Sequence, residues 1–195
     1  MIAQLLYRNF VLAACAAASL LASTGGGLAQ GSGQAPATEP EIALMDALAD
    51  AEPVEARRIV RELGMIWSRS GSPTMDLLLR QGKDALEAGD LPAAVGHLSA
   101  LIDHAPDFAE GWHLRAQAFF QQEELGLALS DLENAVALNP RNFQAVYGMA
   151  LILEQTGRVE AAFAGYSAIL AIYPAHEEAL AGRDRLARGL GGSDI

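Results

Sequence analysis

Three prolines, Pro106, Pro140 and Pro174, recur at an interval of 34 residues. The same interval separates the alanines that stand twelve residues before each proline, which are Ala94, Ala128 and Ala162. A unit of this length holds two short antiparallel helices, and a proline ends the second helix because it cannot continue the main-chain hydrogen bonding. Such units bury their apolar sides by stacking on one another. The period therefore predicts an all-helical stack of units.

Other positions of the interval carry side chains of matched size. A large apolar residue follows each alanine by four positions: Leu98, Leu132 and Tyr166. Small residues recur on the first helix of each unit: Gly82, Ala116 and Ala150. Two packed helices need a small residue where their backbones approach closely, and bulky residues fill the remaining space. The pattern therefore predicts a close contact on each helix of each unit.

The chain resembles the tetratricopeptide repeat family, whose signature is W-x2-L-G-x2-Y, then A-x3-F, then a proline. The resemblance covers Met75 to His176 as three units, which are 75–108, 109–142 and 143–176. Gln81 and Arg115 replace the usual leucine, and Ala85 replaces the aromatic residue. The resemblance implies an all-α fold, a right-handed α-solenoid of helix-turn-helix units.

Helical segments flank the three units on both sides. Residues 41–74 are predicted to form a helical pair whose apolar positions, including Leu48 and Trp67, follow the 34-residue frame. The small residue expected at the first close contact is missing, so the pair is either a degenerate repeat or a cap, and we favour a repeat-like cap. Residues 177–189 are predicted to form a C-terminal capping helix that covers the last unit, and residues 190–195 are predicted to form a tail.

The stretch WSRSGSPTM, residues 67–75, joins the N-terminal pair to the first unit. Gly71 is expected to take the left-handed conformation that ends a helix. Ser72 is the expected N-cap of the next helix, with Pro73 at its first position, and Asp90 is the expected N-cap of the helix after that. No histidine or lysine pattern accompanies the serines, so we interpret the stretch as helix punctuation.

The first residues have the layout of a secretory signal. Arg8 is their only charge, an apolar run extends from Phe10 to Ala22, and small residues close the segment at Ala29. Such a signal has a positively charged start, a short apolar core and a cleavage site of small residues. We therefore predict a signal peptide at 1–29, cleaved near Ala29, and a periplasmic protein.

A flexible linker of Gly, Ser, Ala and Pro is predicted at 30–40. Cys15 is the only cysteine in the sequence, and lipidation at Cys15 is a less favoured alternative to cleavage, as is an uncleaved N-terminal anchor. A chain cleaved at Ala29 has no cysteine. Its stability must therefore come from packing, without a disulfide framework or thiol chemistry.

The net charge of −11 disfavours polyphosphate and anionic lipid as partners, because like charges repel. We expect no nucleic-acid binding and no membrane contact beyond an N-terminal anchor. The sequence lacks the enzyme motifs H-E-x-x-H, G-x-S-x-G and G-x-x-x-x-G-K-[ST]. We therefore expect no catalytic residue, no cofactor and no metal.

Two groups of polar residues offer weaker alternatives. His97 and His104 lie seven residues apart on one predicted helix, but a metal site needs three or four converging ligands, so we interpret them as surface residues. Arg57, Arg58 and Arg61 form a basic patch interleaved with glutamates. A solvated face with salt bridges is the default interpretation of this patch, and a docking patch is the alternative.

In tetratricopeptide repeat proteins, the first helix of each unit lines a concave groove that holds peptides or partner helices. By this resemblance, the candidate partner-binding residues are Leu79, Arg80, Lys83, His113, Leu114, Gln117, Phe120, Gln144, Tyr147 and Leu151. Exposed apolar and aromatic side chains in a concavity suit recognition. We expect His113 and Tyr147 to be exposed there.

Some members of the family hold a partner's C-terminal carboxylate with a Lys/Asn/Arg clamp in this groove. Lys83 lies near such a place, but Leu79, Leu114 and Gly148 occupy places where the clamp needs polar groups. We therefore do not expect chaperone-tail recognition.

The sequence predicts a non-catalytic scaffold or adaptor of the cell envelope that binds a peptide or helix of a protein partner. A structural protein that forms homo-oligomers is the main alternative. A protein that binds metal through histidine and aspartate is a less favoured one.

Overall fold

The computed structural model describes residues 37–190, and within this range the chain forms nine helices and no strand. The predicted signal peptide, Cys15, most of the predicted linker and the tail from residue 191 lie outside the described residues. The helices are α1 (Glu39–Leu48), α2 (Pro53–Trp67), α3 (Pro73–Glu87), α4 (Leu91–His104), α5 (Ala109–Gln121), α6 (Leu125–Leu138), α7 (Phe143–Gln155), α8 (Val159–Leu170) and α9 (Glu177–Leu190). The predicted all-α fold is confirmed.

Three helical hairpins, α3–α4, α5–α6 and α7–α8, make up the repeats, and each helix packs on its neighbours in the chain. The alanines of the second helices are fully buried: Ala94, Ala128 and Ala162. A side chain at Gly82 would bring its Cβ within 2.6 Å of the Leu98 side chain. The small residues therefore lie where two helices approach closely, as the repeat pattern predicts.

The C-terminal helix α9 packs on α8 and covers the end of the third repeat. Gly182 makes this approach close, because a Cβ there would lie 2.6 Å from the Tyr166 ring. The Tyr166 hydroxyl donates a hydrogen bond to Glu154 Oε2 at 2.7 Å, and Arg185 donates to both carboxylate oxygens of Glu154. Charge-assisted hydrogen bonds thus complement the apolar contact between α9 and the repeat.

Two clusters of buried apolar side chains form the core. The smaller cluster belongs to the first repeat and the start of the second, with Leu79, Leu98, Leu101 and Leu114. The larger cluster joins the second and third repeats, α9, and the N-terminal helices α1 and α2. The N-terminal pair therefore shares its core with later repeats.

The N-terminal pair begins at a capping box, in which Thr38 and Glu41 each bond to the other's main chain. The end of the predicted linker is therefore ordered from Thr38 onward. Helix α1 packs on α2, and Leu48 and Leu63 are fully buried. Leu48 and Trp67, the two apolar positions that the sequence indicated in this pair, are both buried in the structure.

The pair lies away from the place that the 34-residue frame indicates for it. Helix α2 does not pack lengthwise on α3. The Trp67 ring instead meets the Phe143 ring of the third repeat edge-on, with centroids 5.6 Å apart, and Arg141 donates a hydrogen bond to Glu41 at 2.7 Å. The physical reason is that the apolar side of α2 finds larger partners at the start of α7 than on α3.

The joint between α2 and α3 differs from its prediction in one detail. Gly71 has the expected positive φ, +81°, and Pro73 begins α3. Ser72 occupies the N-cap position but its side chain makes no capping hydrogen bond. Ser70 instead links the joint to the first turn of α3, since its N–H and hydroxyl both donate to Asp76 Oδ1, at 2.8 and 2.6 Å. Asp90 caps α4 as predicted, accepting from the Ala93 N–H.

Candidate partner-binding groove

The concave side of the repeats is formed by the first helices α3, α5 and α7, and α2 extends along it. Val60 of α2 lines a cavity together with Tyr173, which follows the third repeat. Just beyond the C-terminal end of α2, Ser68 accepts a hydrogen bond from Lys83 Nζ of the first repeat at 2.7 Å. Helix α2 therefore contacts both the last repeat and the first, and its residues line two cavities.

The aromatic cavity, as we name the first of these, has a volume of about 650 Å³. Helices α5 and α7 form its floor, α2 contributes Val60, and the segment after α8 contributes Tyr173 and His176. Phe120, Tyr147 and Leu151 are half-buried residues on its wall. Half-buried aromatic and aliphatic groups in a concavity keep apolar surface in water, so a partner's apolar side chain gains free energy by covering them.

The rings at the end of the aromatic cavity hold one another in place. His176 stacks on Tyr147 with centroids 5.3 Å apart, and Tyr173 lies 5.6 Å from Phe143 in an edge-on arrangement. Burial lowers the pKa of the His176 imidazole below its ordinary value, although the nearby Glu178 carboxylate acts in the opposite direction. The neutral form of His176 is therefore favoured in the folded protein, and the wall at this point is uncharged.

The basic cavity, with a volume of about 770 Å³, lies on the other side of the groove. Arg61 and Arg69, from α2 and the joint, face Lys83 of α3 across it. Glu110 offsets part of this charge, with its carboxylate 3.6 Å from Lys83 Nζ. The cavity thus has a net positive lining in a chain whose net charge is −11.

Eight of the ten predicted groove residues line at least one cavity. The aromatic cavity contains His113, Gln117, Phe120, Gln144, Tyr147 and Leu151. The basic cavity contains Lys83, His113, Leu114, Gln117 and Gln144. Three residues belong to both lists, so the two cavities adjoin along α5 and α7.

Three expectations about these residues need correction. His113 is buried, with 4% of its surface exposed, because Glu110 and Gln117 contact its two ring nitrogens at 3.2 and 3.1 Å. Leu79 and Leu114 are buried in the leucine cluster of the first repeat, and Leu114 also lines the basic cavity. Arg80 is exposed and lines neither cavity.

Sequence reasoning missed the residues that close the aromatic cavity from outside the first helices. Val60, Tyr173 and His176 are the main ones. A signal for one of them was present, because the position before each repeat-ending proline holds Ala105, Asn139 and then Tyr173. Tyr173 differs from the small and polar residues that the first two repeats carry at this position, and it lies at this end of the groove.

The polar alternatives have defined positions in the structure. His97 is half-exposed and His104 exposed. Among residues 37–190, no group of three or more His, Cys, Asp or Glu side chains could hold a metal ion. Arg58 pairs with Glu55 and Glu62 on the outer side of α2.

No helix in the described part of the chain is both long and apolar enough to cross a bilayer.

Comparison with known proteins agrees with this geometry. A family model described as tetratricopeptide repeat matches residues 79–132 and 114–177. The chain belongs to the tetratricopeptide repeat family. A repeat-containing protein of this family from Rhizobium etli is 34% identical over 144 residues, which cover 74% of this chain and 71% of that protein. The BBSome complex member BBS4 homolog of Drosophila melanogaster is 29% identical over 86 residues, 44% of this chain and 18% of that protein.

Solved tetratricopeptide repeat structures show the same fold. The first such domain of Spaghetti (RPAP3), bound to the HSP90 peptide SRMEEVD, superposes with a TM-score of 0.58 at 23% identity, over 60% of this chain and 93% of that one. MamA superposes with a TM-score of 0.58 at 20% identity, over 80% of this chain and 87% of that one. At these identities the likeness concerns the fold alone.

Proposed function

We propose that this protein is a non-catalytic scaffold or adaptor of the cell envelope that binds a protein partner through its concave groove. Domains of this family are protein-interaction modules, and structural neighbours bind peptides. The observation that carries the proposal is the aromatic cavity, whose half-buried Phe120, Tyr147 and Leu151 face an open concavity. Aromatic anchors at the centre of a groove are where binding free energy concentrates.

The partner segment is proposed to bind through apolar side chains that enter the aromatic cavity. Gln117 and Gln144 are exposed between the two cavities, where their amides can both donate and accept hydrogen bonds to the main chain of a peptide. Such a site combines apolar anchoring with polar orientation, as ligand sites on proteins do.

Capture of a chaperone tail by its terminal carboxylate remains disfavoured. The neighbour from Spaghetti (RPAP3) binds the HSP90 peptide SRMEEVD, and a complex of the yeast Sti1 TPR2B domain with pHsp70 is also similar in fold. In this chain Leu79 and Leu114 are buried, and Gly148 has no side chain to offer. The places for polar clamp residues are therefore filled by groups that cannot hold a carboxylate.

Export to the periplasm is part of the proposal and rests on the sequence of residues 1–29. Intact mass spectrometry of the protein from its native host tests it. We expect the mass of a chain that begins close to residue 30. A mass that includes residues 1–29, or one that adds lipid at Cys15, would replace this location with an anchored one.

Crosslinking in native cells, followed by identification of the crosslinked proteins, tests the binding proposal. The variant with Phe120→Ala and Tyr147→Ala is expected to capture at least tenfold less of the specific partner than the wild type. Its helicity, measured by circular dichroism, should be unchanged. Leu127→Ala is the matched control, because Leu127 is an exposed apolar residue that lines neither cavity. Equal capture by the wild type and the folded double variant would count against the groove.

A further inference from the structure

We propose that the face under α2 is a helix-binding surface for which α2 is the intramolecular occupant, and that its partner is an amphipathic helix of the same pattern. The partner would bind by taking the place of the α1–α2 pair. This proposal rests on the proposed function, since it names the chemistry of the partner and the state in which the groove accepts it.

The first observation is the shape of α2. Its buried residues, Ala56, Ile59, Leu63 and Trp67, follow one another at spacings of three, four and four, so they form one apolar ridge along the helix. The opposite side is exposed and polar, with Arg57 and Arg58. Helix α2 therefore docks as an amphipathic helix docks in a groove, through anchors on a single face.

The second observation is that the third repeat receives the aromatic end of this ridge. Phe143 of the third repeat receives the Trp67 ring edge-on at 5.6 Å. Within the pair, the Trp67 Nε1–H donates to Glu41 Oε1 of α1 at 2.9 Å, and the same oxygen accepts from Arg141, which precedes α7. An aromatic anchor with its polar atom satisfied is the arrangement found at the centre of protein interfaces.

The third observation is the weak attachment of α2 to its neighbour in the chain. Helix α2 does not pack lengthwise on α3, and the joint 68–72 between them contains Gly71 in the left-handed conformation. Each repeat hairpin, in contrast, packs on the next one. The α1–α2 pair can therefore leave the groove as a unit while the hairpin contacts of the repeats persist.

These contacts define the chemistry of the partner. Its helix would carry apolar residues at four successive turns, with an aromatic residue at the end that meets Phe143. Segment 53–69 has four arginines and two glutamates, in a chain with a net charge of −11. Two of the basic residues that line the basic cavity, Arg61 and Arg69, belong to this segment and leave with it. A basic polar side therefore suits the vacated groove, because the acidic remainder of the chain attracts it over long range.

The test uses a fluorescein-labelled peptide of residues 53–69 as the probe, titrated with the full chain and followed by anisotropy. The apparent affinity of a site scales with the fraction of molecules in which it is open. We therefore expect the chain with Leu63→Ala and Trp67→Ala, whose own α2 docks less tightly, to bind the peptide at least tenfold more tightly than the wild type. Val54→Ala is the matched control, because Val54 is an exposed apolar residue of the same helix, and it should bind as the wild type does.

Two results of the peptide titration would overturn the proposal. One is equal affinity, or no binding, for the wild type and the folded double variant. The other is a peptide carrying Trp67→Ala that binds as well as the unchanged peptide. Hydrogen exchange of the wild type gives an independent measurement that needs no variant, since amides of α1 and α2 should exchange faster than those of α5 to α8. Exchange of all helices at one common rate would exclude separate release of the pair.

Sedimentation of the double variant separates a partner helix from a second copy of the chain. A monomer at all concentrations supports a partner of different sequence, whereas a concentration-dependent dimer would assign the surface to exchange of α2 between copies. If the peptide test fails while partner capture still depends on Phe120 and Tyr147, only this inference is wrong. If the wild type captures no specific partner, or the Phe120→Ala, Tyr147→Ala variant captures it equally, the proposed function is wrong.

Discussion

The three repeats and the N-terminal pair are stabilised by contacts of different range. Each repeat helix packs on a helix that follows or precedes it in the chain, whereas Glu41 of the pair bonds to Arg141, 100 residues away. A sequence period encodes the first kind of contact, because every unit repeats it. The second kind of contact occurs only once, and the only feature of the sequence that indicates it is the apolar ridge of α2.

Substitution of Ala128 by arginine should have the largest effect and should act on the repeats. Ala128 is fully buried between helices, so Ala128→Arg combines overpacking with a buried charge, at a cost of about 4 kcal/mol of unfolding free energy. The thermal midpoint measured by circular dichroism should fall sharply. Ala137→Arg, on the exposed side of the same helix, is the control, and an unchanged midpoint for Ala128→Arg would refute the repeat register.

Substitution of Trp67 by alanine should act on the pair alone. Removing a large buried aromatic side chain costs about 3 kcal/mol or more, and here it weakens the docking of α1 and α2 on the third repeat. Hydrogen exchange should show lost protection in α1 and α2 and nearly unchanged protection in α4 to α8. A uniform loss across all helices would mean that the pair and the repeats unfold together, which would remove the distinction drawn above.

The ion pair of Glu41 and Arg141 provides a pH-dependent test of the same docking. Burial alone would raise the pKa of Glu41, but hydrogen bonds from Arg141 and Trp67 hold this pKa below its ordinary value. The folded pKa is therefore below the unfolded one, about 4.3. The stabilisation is fully present above the unfolded pKa and is lost as the pH falls through the folded pKa.

Glu41→Gln should therefore cost about 2 kcal/mol at pH 7, because the hydrogen bonds lose their charged acceptor. The difference in urea midpoint between this variant and the wild type should shrink as the pH is lowered toward 3. Glu39→Gln, an exposed substitution on the same helix, should show neither effect. A difference that stays constant with pH would show that the Glu41 charge does not hold the pair.

Substitutions at the joint should have the smallest effect on stability, and they should distinguish the contribution of Ser70 from that of Ser72. Ser70 donates two hydrogen bonds to Asp76, whereas the Ser72 side chain makes no capping bond to α3. Ser70→Ala should lower the thermal midpoint by about 2–4 °C, and Ser72→Ala by clearly less. The reverse order would restore Ser72 as the N-cap that its position indicates.

Much of the repeat structure could be predicted from the sequence, because its determinants are local and occur three times. Ala94, Ala128 and Ala162 are buried where the period requires small residues. The candidate groove was predictable only in part. Tyr147 and Phe120 lie on its wall, but His113 is buried because its neighbours one turn away, Glu110 and Gln117, satisfy its nitrogens.

The placement of the N-terminal pair could not be predicted from one sequence for a physical reason. The apolar ridge of α2 fixes which side of the helix is buried but not which surface receives it. Phe143 and Tyr173 make the third repeat the better receiver, and these residues are distant in the chain from Trp67. No periodicity connects them, so their contact emerges only when the repeats have stacked and brought their concave faces together.

The docking of α2 on the repeats has a mechanical consequence for the stack that they form. A solenoid of stacked hairpins bends and twists easily, because each interface adds a small rotation to the next. The C-terminal end of α2 contacts two repeats at once, because the Trp67 ring meets Phe143 of the third repeat and the next residue, Ser68, accepts a hydrogen bond from Lys83 of the first. Docked in this way, α2 ties the first repeat to the third and restrains the curvature of the stack, and its release would leave the repeats freer to bend.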